Sequence, residues 1–169
     1  MTFIKVVNVG DTGVGKTCVL ISYTENEFPE ECGPTSFDNY STDIEHDGRT
    51  YTLGLFDTSG NEIDVMRPLT YGDSKLFLIF FSVVDRKSFE RVETKWIPEI
   101  KKSGSLSPFI IVGNKSDLRS SNPGSVSVEE AKGLAIKTGA HSYRECSAKE
   151  LTGLGELFDT AIDAAVKSN

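Results

Sequence analysis

Short apolar runs alternate with segments of helical periodicity along the whole chain. The apolar runs predict buried strands at residues 3–9, 75–83, 109–112 and 141–145. Helices are predicted over residues 16–25 and from residues 88, 127 and 153 onward. Parallel strands that alternate with helices are joined by right-handed crossovers. The pattern therefore predicts an α/β fold with a doubly wound, mostly parallel sheet.

One further pair of strands is predicted to be antiparallel. Residues 39–46 and 50–57 flank Asp47-Gly48, a typical pair for the tight turn of a β-hairpin. With this hairpin, the sheet is expected to have six strands, one of them an antiparallel edge strand. Ligands bind such sheets at the carboxyl ends of the strands. The loops that follow the strands are therefore where a functional site is expected.

Length, composition and charge narrow the class of protein. The 169 residues suit a single domain spanning residues 1–169. A hydrophobic fraction of 38% and a charged fraction of 25% are typical of a globular protein. The net charge of −7 and a pI near 4.9 argue against nucleic-acid binding and against adhesion of this domain to an anionic membrane surface.

The cysteines and the termini indicate the cellular compartment in which the protein is expected. Cys18, Cys32 and Cys146 are too few and too scattered for a disulfide framework or a Cys-x-x-Cys zinc pair. We therefore expect a reducing, cytoplasmic environment. The N-terminus shows no secretory signal, and no apolar run approaches the ~20 residues that span a membrane. The last residues, Lys167-Ser168-Asn169, carry no prenylation box.

The strongest chemical signal is the motif Gly10-Asp11-Thr12-Gly13-Val14-Gly15-Lys16-Thr17. It matches G-x-x-x-x-G-K-[ST] and lies between a predicted strand and a predicted helix, as a phosphate-binding loop must. Its glycines let backbone N–H groups surround a phosphate. Lys16 can reach the β- and γ-phosphates, and the Thr17 hydroxyl can ligate Mg²⁺. The alternative is a glycine-rich turn that binds no ligand.

A second loop, Gly113-Asn114-Lys115-Ser116-Asp117, predicts specificity for guanine. The Asp117 carboxylate can accept hydrogen bonds from N1–H and the 2-amino group of guanine, a pair that adenine does not offer. Asn114 is expected to brace the loop, and the Lys115 stem to lie along the base. After the last strand, Ser147-Ala148-Lys149 can present a backbone N–H to the guanine oxygen.

The third strand is predicted to end at Asp57-Thr58-Ser59-Gly60. An acid at that strand end is where a carboxylate holds Mg²⁺ in phosphate-loop proteins, usually through water. Gly60 can bring its backbone N–H close to a γ-phosphate. The alternative is a turn that begins at an aspartate and binds nothing.

These motifs resemble those of the Ras superfamily of small GTPases and, within it, the Rho/Rac family, over the whole chain. Residues 23–40 (YTENEFPEECGPTSFDNY) are similar to the Rho-type first switch, and residues 66–71 (MRPLTY) to the end of the second switch. Residues 51–57 (YTLGLFD) are also Rho-like. The resemblance implies the P-loop NTPase fold of a Ras-like G domain.

The resemblance and the motifs together assign four sets of residues. It is the resemblance that implies packing of Phe28 on guanine, a place for Cys18 beside the α-phosphate and a Mg²⁺ contact for Thr35. The predicted nucleotide contacts are Thr12, Gly13, Val14, Gly15, Lys16, Thr17, Cys18, Phe28, Thr35, Gly60, Asn114, Lys115, Asp117, Ser147, Ala148 and Lys149. The predicted Mg²⁺ ligands are Thr17, Thr35 and, through water, Asp57. The predicted catalytic residues are Lys16, Gly60 and Asn61, and the predicted effector contacts are Phe37, Asp38 and Tyr40.

Several features depart from the Rho pattern. The helical insert that Rho proteins carry after the guanine-specificity loop is missing, since only residues 119–126 occupy that place. Thr12-Gly13 and the loop at residues 114–117 are more similar to Rab GTPases. Cys32 stands where a tyrosine usually covers the phosphates, and residues 62–66 are one residue shorter than the Rho pattern.

Asn61 is the departure with the greatest mechanistic consequence. It occupies the position of the family's glutamine, which orients the attacking water. Asparagine is one methylene shorter, and a misplacement on the order of 1 Å can cost ~10²-fold in rate. We therefore expect weak intrinsic hydrolysis. The alternative is that the shortened loop brings Asn61 closer and restores the contact.

Two functions are compatible with the sequence. One is a GTP/GDP switch in which GTP orders residues 32–40 and 58–71 and slow hydrolysis releases them. The other is a hydrolysis-deficient, constitutively GTP-bound module, like the Rnd members of the Rho family, whose Asp-Thr-Ser-Gly motif resembles residues 57–60. Asp117 disfavours a nucleotide kinase or ATPase.

The resemblance also implies partners. We expect a monomer that works with an exchange factor, a GTPase-activating protein and effectors of signalling and the actin cytoskeleton. A stimulating arginine is expected to come from a partner. Attachment to the cytoplasmic face of a membrane would need a basic, prenylated tail after residue 169.

Overall fold

A computed structural model describes residues 2–32, 37–61 and 65–168, apart from the side chains of Phe37 and Asp38. The strands within these ranges are β1 (Thr2–Gly10), β2 (Phe37–His46), β3 (Arg49–Thr58), β4 (Leu76–Ser82), β5 (Phe109–Asn114) and β6 (Ser142–Glu145). They form one sheet in the order β2-β3-β1-β4-β5-β6.

All neighbouring strands are parallel except β2 and β3. That hairpin turns at Asp47 and Gly48, which have positive φ angles of 49° and 72°, and its register runs from Phe37 opposite Thr58 to His46 opposite Arg49. Asp and Gly tolerate these angles better than most residues. The predicted six-stranded, doubly wound α/β sheet with one antiparallel edge strand is confirmed.

Helices cover both faces of the sheet. They are α1 (Lys16–Glu25), α2 (Arg86–Arg91), α3 (Ile97–Lys102), α4 (Val128–Thr138) and α5 (Leu154–Lys167), with a π-helical turn at Val92–Trp96 and 3₁₀ turns at Arg67–Tyr71 and Ser116–Ser121. Helices α1 and α5 pack on one face, and α2, α3 and α4 on the other. Because strand side chains alternate, Leu78 of β4 enters the first core and Ile79 the second.

The helix predicted from residue 88 is divided, although its apolar face is as expected. Val92, Trp96 and Ile100 are buried in the core beneath it. Pro98 lies in the first turn of α3 and has no N–H to donate to the carbonyl four residues earlier. The preceding turn widens to the π form, a common accommodation of such a lost bond.

The parallel strands direct their carboxyl ends to one edge of the sheet. The loops after β1, β3, β5 and β6 therefore meet there, and they carry the motifs singled out above. None of the helices in the described ranges has the length and apolar character needed to cross a membrane.

Candidate functional site

A cavity of about 900 Å³ opens at the carboxyl edge of the sheet. Its volume is within the range of small-molecule sites. The lining residues are Thr12, Gly13, Gly15, Lys16, Thr17, Cys18, Phe28, Cys32, Thr58, Ser59, Gly60, Asn61, Asn114, Lys115, Asp117, Leu118, Ala148 and Lys149. The structure thus brings together at one site the loops that the sequence separates by more than a hundred positions.

The loop after β1 has the geometry of a phosphate-binding loop. Gly13 and Gly15 have φ angles of 85° and 92°, which favour glycine, and α1 begins immediately afterwards at Lys16. The buried Lys16 ammonium donates to the carbonyls of Gly10 at 2.8 Å and Asp11 at 3.0 Å. Burial lowers the pKa of Lys16 to about 8, against the opposing effect of the Asp57 and Asp11 carboxylates. A phosphate group would supply the counter-charge that this ammonium needs.

Asp11 anchors the phosphate loop to the neighbouring helical segment. Its carboxylate accepts a hydrogen bond from the Arg91 guanidinium at 2.9 Å and another from the Trp96 indole at 2.9 Å. These partners lie 80 and 85 residues along the chain, and the motif did not indicate them. Trp96 is buried in the core, as its spacing suggested, and it also fixes the loop.

The Asn114 side chain joins three loops. Its Nδ2 donates to the Val14 carbonyl at 2.9 Å, and its Oδ1 accepts from the Ala148 backbone N–H at 3.3 Å. Lys115 adds a second link, because its ammonium donates to the Gly13 carbonyl at 2.8 Å. A side chain at Gly15 would clash with the Asn114 amide, so glycine is required there for a close approach as well as for its φ angle.

Asp117 is oriented by a residue of the loop after β6. The Ser147 hydroxyl donates to Asp117 Oδ1 at 2.7 Å and accepts from the Glu150 backbone N–H at 3.1 Å. The carboxylate is thus fixed in the cavity wall, where it could accept hydrogen bonds from a planar base. Ser147 itself does not line the cavity, so its contact with Asp117 acts from behind the wall.

The residues predicted to hold Mg²⁺ fit that ion where the structure describes them. Thr17 Oγ1, in the first turn of α1, donates to Asp57 Oδ2 at the end of β3. Asp57 is 1% exposed, and a buried carboxylate beside a hydroxyl is a hard oxygen pair of the kind that Mg²⁺ prefers. The third predicted ligand, Thr35, lies outside the described residues.

Gly60 and Asn61 form a wall of the cavity beside the phosphate loop. A Cβ atom at Gly60 would clash with the backbone N–H of Thr12, so this loop packs directly on the phosphate loop. The Asn61 backbone N–H donates to the Ser59 hydroxyl at 3.0 Å, and the exposed Asn61 side chain lines the cavity.

Arg67 holds this wall in place, a role that no sequence motif indicated. Its side chain is 1% exposed, and one guanidinium nitrogen donates to the carbonyls of Ser59 at 2.8 Å and Asn61 at 2.7 Å. The other two donors meet the Glu99 carboxylate at 3.0 Å and 2.7 Å. The guanidinium also stacks 4.6 Å above the Trp96 ring. Contacts with four residues therefore fix one side chain.

The Arg67–Glu99 pair is a buried, charge-assisted network. The Tyr71 hydroxyl also donates to Glu99. Burial would raise the pKa of Glu99, but the hydrogen bonds from Arg67 and Tyr71 prevail and lower it. Burial and the hydrogen bond to Glu99 together raise the pKa of Tyr71 well above its usual range. At neutral pH the network therefore holds a carboxylate, a guanidinium and a neutral phenol.

The three cysteines do not form a disulfide framework, but one bond that the sequence did not indicate joins Cys18 to Cys32. The segment after α1 folds back over the first turn of that helix and leaves the two Cα atoms 5.9 Å apart, within the usual range for a disulfide. A sequence separation of 14 residues does not reveal this approach. Cys146 is free and buried, and burial raises its pKa to about 12.

The remaining predicted residues are distributed unevenly around the site. Phe28 lines the cavity and is 39% exposed, whereas the Val14 side chain is in the core and the Val14 carbonyl accepts from Asn114. Tyr40, on β2, is half-buried against the core. Phe37 and Asp38 begin the same edge strand, and their side chains lie outside the described part of the chain.

The fold and this site define a class of protein. A strand, a glycine-rich loop and a helix form the phosphate-loop unit, and a second loop places the Asp117 carboxylate in the wall of the same cavity. This arrangement is that of a P-loop nucleotide-binding domain. A comparison with known protein families matches the Ras family over residues 5–167, and the chain belongs to that family. Ras-family proteins are switches that bind GTP and GDP with Mg²⁺, hydrolyse GTP, and work with exchange factors, activating proteins and effectors.

Proposed function

We propose that this Ras-family protein is a Rho-like GTP/GDP switch with slow intrinsic hydrolysis. The observation that supports it best is the short Asn61 side chain on a fixed backbone in the cavity wall. Asn61 is one methylene shorter than the expected glutamine, and its backbone is fixed by Arg67 through the 2.7 Å bond to its carbonyl. The Rho-like assignment rests on the resemblance of the switch segments.

Nucleotide binding in this proposal uses two preformed halves of the cavity. In the base half, Asn114 holds the loops and Asp117 accepts from guanine N1–H and the 2-amino group, while Ala148 and Lys149 face the guanine oxygen. Phe28 covers the base. In the phosphate half, backbone N–H groups of residues 12–18 bind the phosphates, and Lys16 exchanges its bonds to loop carbonyls for bonds to phosphate oxygens.

Thr17 and Asp57 are proposed to hold Mg²⁺, with Thr35 as a further ligand in the GTP state. Bound Mg²⁺ would neutralise charge on the β- and γ-phosphates. Thr17 reaches the site because it follows the lysine on α1, and Asp57 does so because β3 ends beside β1. The direct Thr17–Asp57 hydrogen bond supports this proposal, because it brings two candidate oxygen ligands together.

Hydrolysis depends on where residues 60 and 61 are held. The Gly60 backbone N–H is proposed to contact the γ-phosphate, and the Asn61 amide to orient the attacking water. Lys16 stabilises the charge on the phosphate oxygens. The tether from Arg67 to the carbonyls of Ser59 and Asn61 positions both groups. Effectors are proposed to contact Phe37, Asp38 and Tyr40 on the edge strand β2.

A constitutively GTP-bound binding module is the second candidate. It is favoured by the same observation, since a short side chain on a fixed backbone could fail to reach the water at all. The two candidates differ only in the rate at which bound GTP is hydrolysed. By family resemblance, both would act with effectors of the cytoskeleton, in the cytoplasm or at a membrane reached through a lipidated tail.

The decisive experiment has two stages. Nucleotide released from denatured purified protein is first identified chromatographically, and guanine nucleotide in near-stoichiometric amount is expected. Protein loaded with GTP is then followed in a single turnover with Mg²⁺. Slow formation of GDP supports the switch, and GTP that persists unchanged for days supports the binding module. Adenine nucleotide in the purified protein would refute the base assignment.

A further inference from the structure

We infer that Cys18 and Cys32 form a reversible disulfide that latches the nucleotide in the cavity. The inference rests on the proposed nucleotide site and adds a covalent control of exchange to it. Both cysteines line the same cavity as Lys16, Thr17 and Asp117. They are also bonded to each other in the structure.

The positions of Cys18 and Cys32 determine which segment the disulfide holds in place. Cys18 is in the first turn of α1, beside Thr17, and Cys32 lies in the segment that leads from α1 towards β2. The bond closes a loop that includes Phe28, which lines the cavity and is proposed to cover the base. With the disulfide formed, this covering segment is covalently held against α1. A nucleotide inside the cavity would then have to leave without the segment swinging away.

The closed bond is compatible with a bound nucleotide. The cavity has a volume of about 900 Å³ in the structure that contains the disulfide, near the upper end of the range for small-molecule sites. The bond therefore constrains the edge of the cavity without filling it. For this reason we assign it to retention of nucleotide and not to blocking of its binding.

The chemistry is a thiol–disulfide exchange with a low-molecular-weight disulfide such as oxidised glutathione. The exposed Cys32 attacks as its thiolate, forms a mixed disulfide and expels one glutathione thiolate. Cys18, at a helix N-terminus that favours an anion, then attacks the Cys32 sulphur and expels the second. Two protein thiols are oxidised and one glutathione disulfide is reduced to two thiols, so electrons and protons balance. Excess reduced glutathione runs the sequence backwards.

Two features favour a reversible bond over a permanent one. Cys32 is exposed and Cys18 is half-buried, so a small thiol can reach the pair. In a reducing compartment, such as the cytoplasm expected for this protein, disulfides are usually transient and redox-sensing. The third cysteine, Cys146, is buried and free, so it does not compete for either partner.

The test measures nucleotide release from one preparation in two redox states. Protein loaded with a fluorescent GDP analogue is treated with oxidised glutathione or with dithiothreitol. The disulfide is mapped by mass spectrometry of peptides under non-reducing conditions. Release is then started with excess unlabelled GDP and EDTA. We expect the dissociation rate of the analogue to be about tenfold lower in the oxidised form, since most changes in affinity appear in the dissociation rate. Dithiothreitol should restore the faster rate.

The control is Cys32→Ser, which keeps the size of the side chain and removes the partner of Cys18. Its release rate is expected to be the same in both redox states. Equal rates for the two forms of the parent protein, faster release after oxidation, or a failure of the Cys18–Cys32 bond to form would each overturn the latch. Those results leave the proposed function standing if the analogue binds. A protein that binds no guanine nucleotide in either redox state would refute the proposed function instead.

Discussion

Replacing Asn61 with glutamine is expected to speed single-turnover hydrolysis of GTP by about tenfold or more, equivalent to at least ~1.4 kcal/mol of barrier. The added methylene extends the amide by roughly 1.3–1.5 Å, about one bond length. A displacement on the order of 1 Å at a reacting centre can change a rate by ~10²-fold. The expected gain is therefore well within the range that one methylene can produce.

The structure indicates why the backbone does not compensate for the short side chain. Arg67 donates to the Asn61 carbonyl at 2.7 Å and to the Ser59 carbonyl at 2.8 Å. A shift of the Asn61 carbonyl by ~1.3 Å directly away from Arg67 would stretch the first of these bonds to about 4 Å, beyond hydrogen-bond range. The loss of a hydrogen bond from a charged group costs ~1.5–3 kcal/mol. That cost is at least as large as the gain in barrier, so the shift is not favoured.

The assay compares Asn61→Gln and Asn61→Leu with the parent, each loaded with GTP and started with Mg²⁺. GTP affinity should hardly change, because the side chain acts on the water and not on the bound nucleotide. Asn61→Leu, which has no amide, should be slower than the parent. The same rate for all three proteins would refute a role for residue 61 in positioning the water. The same comparison in an Arg67→Lys background is a control. Without the hydrogen bonds from the Arg67 guanidinium, the backbone at Asn61 is freer to move, so Asn61→Gln should raise the rate less there.

Three further predictions concern the base, the metal and the charge network. Asp117→Asn should weaken GTP binding by about 10–100-fold, the cost of an unpaired buried group, and favour xanthosine triphosphate in a competition assay; unchanged GTP affinity would contradict the base assignment. Thr17→Asn should weaken GTP more than GDP when both are titrated with Mg²⁺, because Thr35 is expected to join the metal only with GTP, and equal small losses would count against it. Glu99→Gln should lower the free energy of unfolding most near neutral pH. Hydrogen bonds from Arg67 and Tyr71 lower the folded pKa of Glu99 below its usual value, so its contribution is present above the usual value and fades as pH falls through the folded value. A deficit in chemical denaturation that stays constant into strongly acidic pH would contradict this.

Features that depend on neighbouring residues could be predicted from the sequence. Helix α1 has the predicted bounds, residues 16–25, because the glycine-rich loop ends where the helix can begin. Helix α4 begins just after Ser127, as predicted, and the Ser127 hydroxyl and the Glu130 side chain each bond the other's backbone N–H. The sheet followed from the alternation of its elements. The meeting of the site loops then followed from parallel strands that share one edge.

Contacts between distant residues could not be predicted in this way. Arg67 and Glu99 are 32 residues apart, and Asp11 meets Arg91 and Trp96 over still longer separations. No periodicity links such partners, because each pair forms only when β1, β3 and the helical segment from α2 to α3 have packed together. The bond between Cys18 and Cys32 belongs to the same class, since it depends on how the segment after α1 folds back.

The two halves of the cavity are held by different kinds of contact, and this difference suits a switch. Asn114 cross-links the base half through hydrogen bonds of a neutral amide to backbone groups of residues 14 and 148, which do not depend on the γ-phosphate. The wall formed by Gly60 and Asn61 is instead held by the charged Arg67 side chain, which donates to the carbonyls of Ser59 and Asn61. Gly60 packs on the phosphate loop, so under the proposed function a change of charge at the phosphates would act on this wall. Under the proposed function, loss of the γ-phosphate would therefore rearrange residues 58–61 against Arg67, while the base half keeps its hold on the nucleotide.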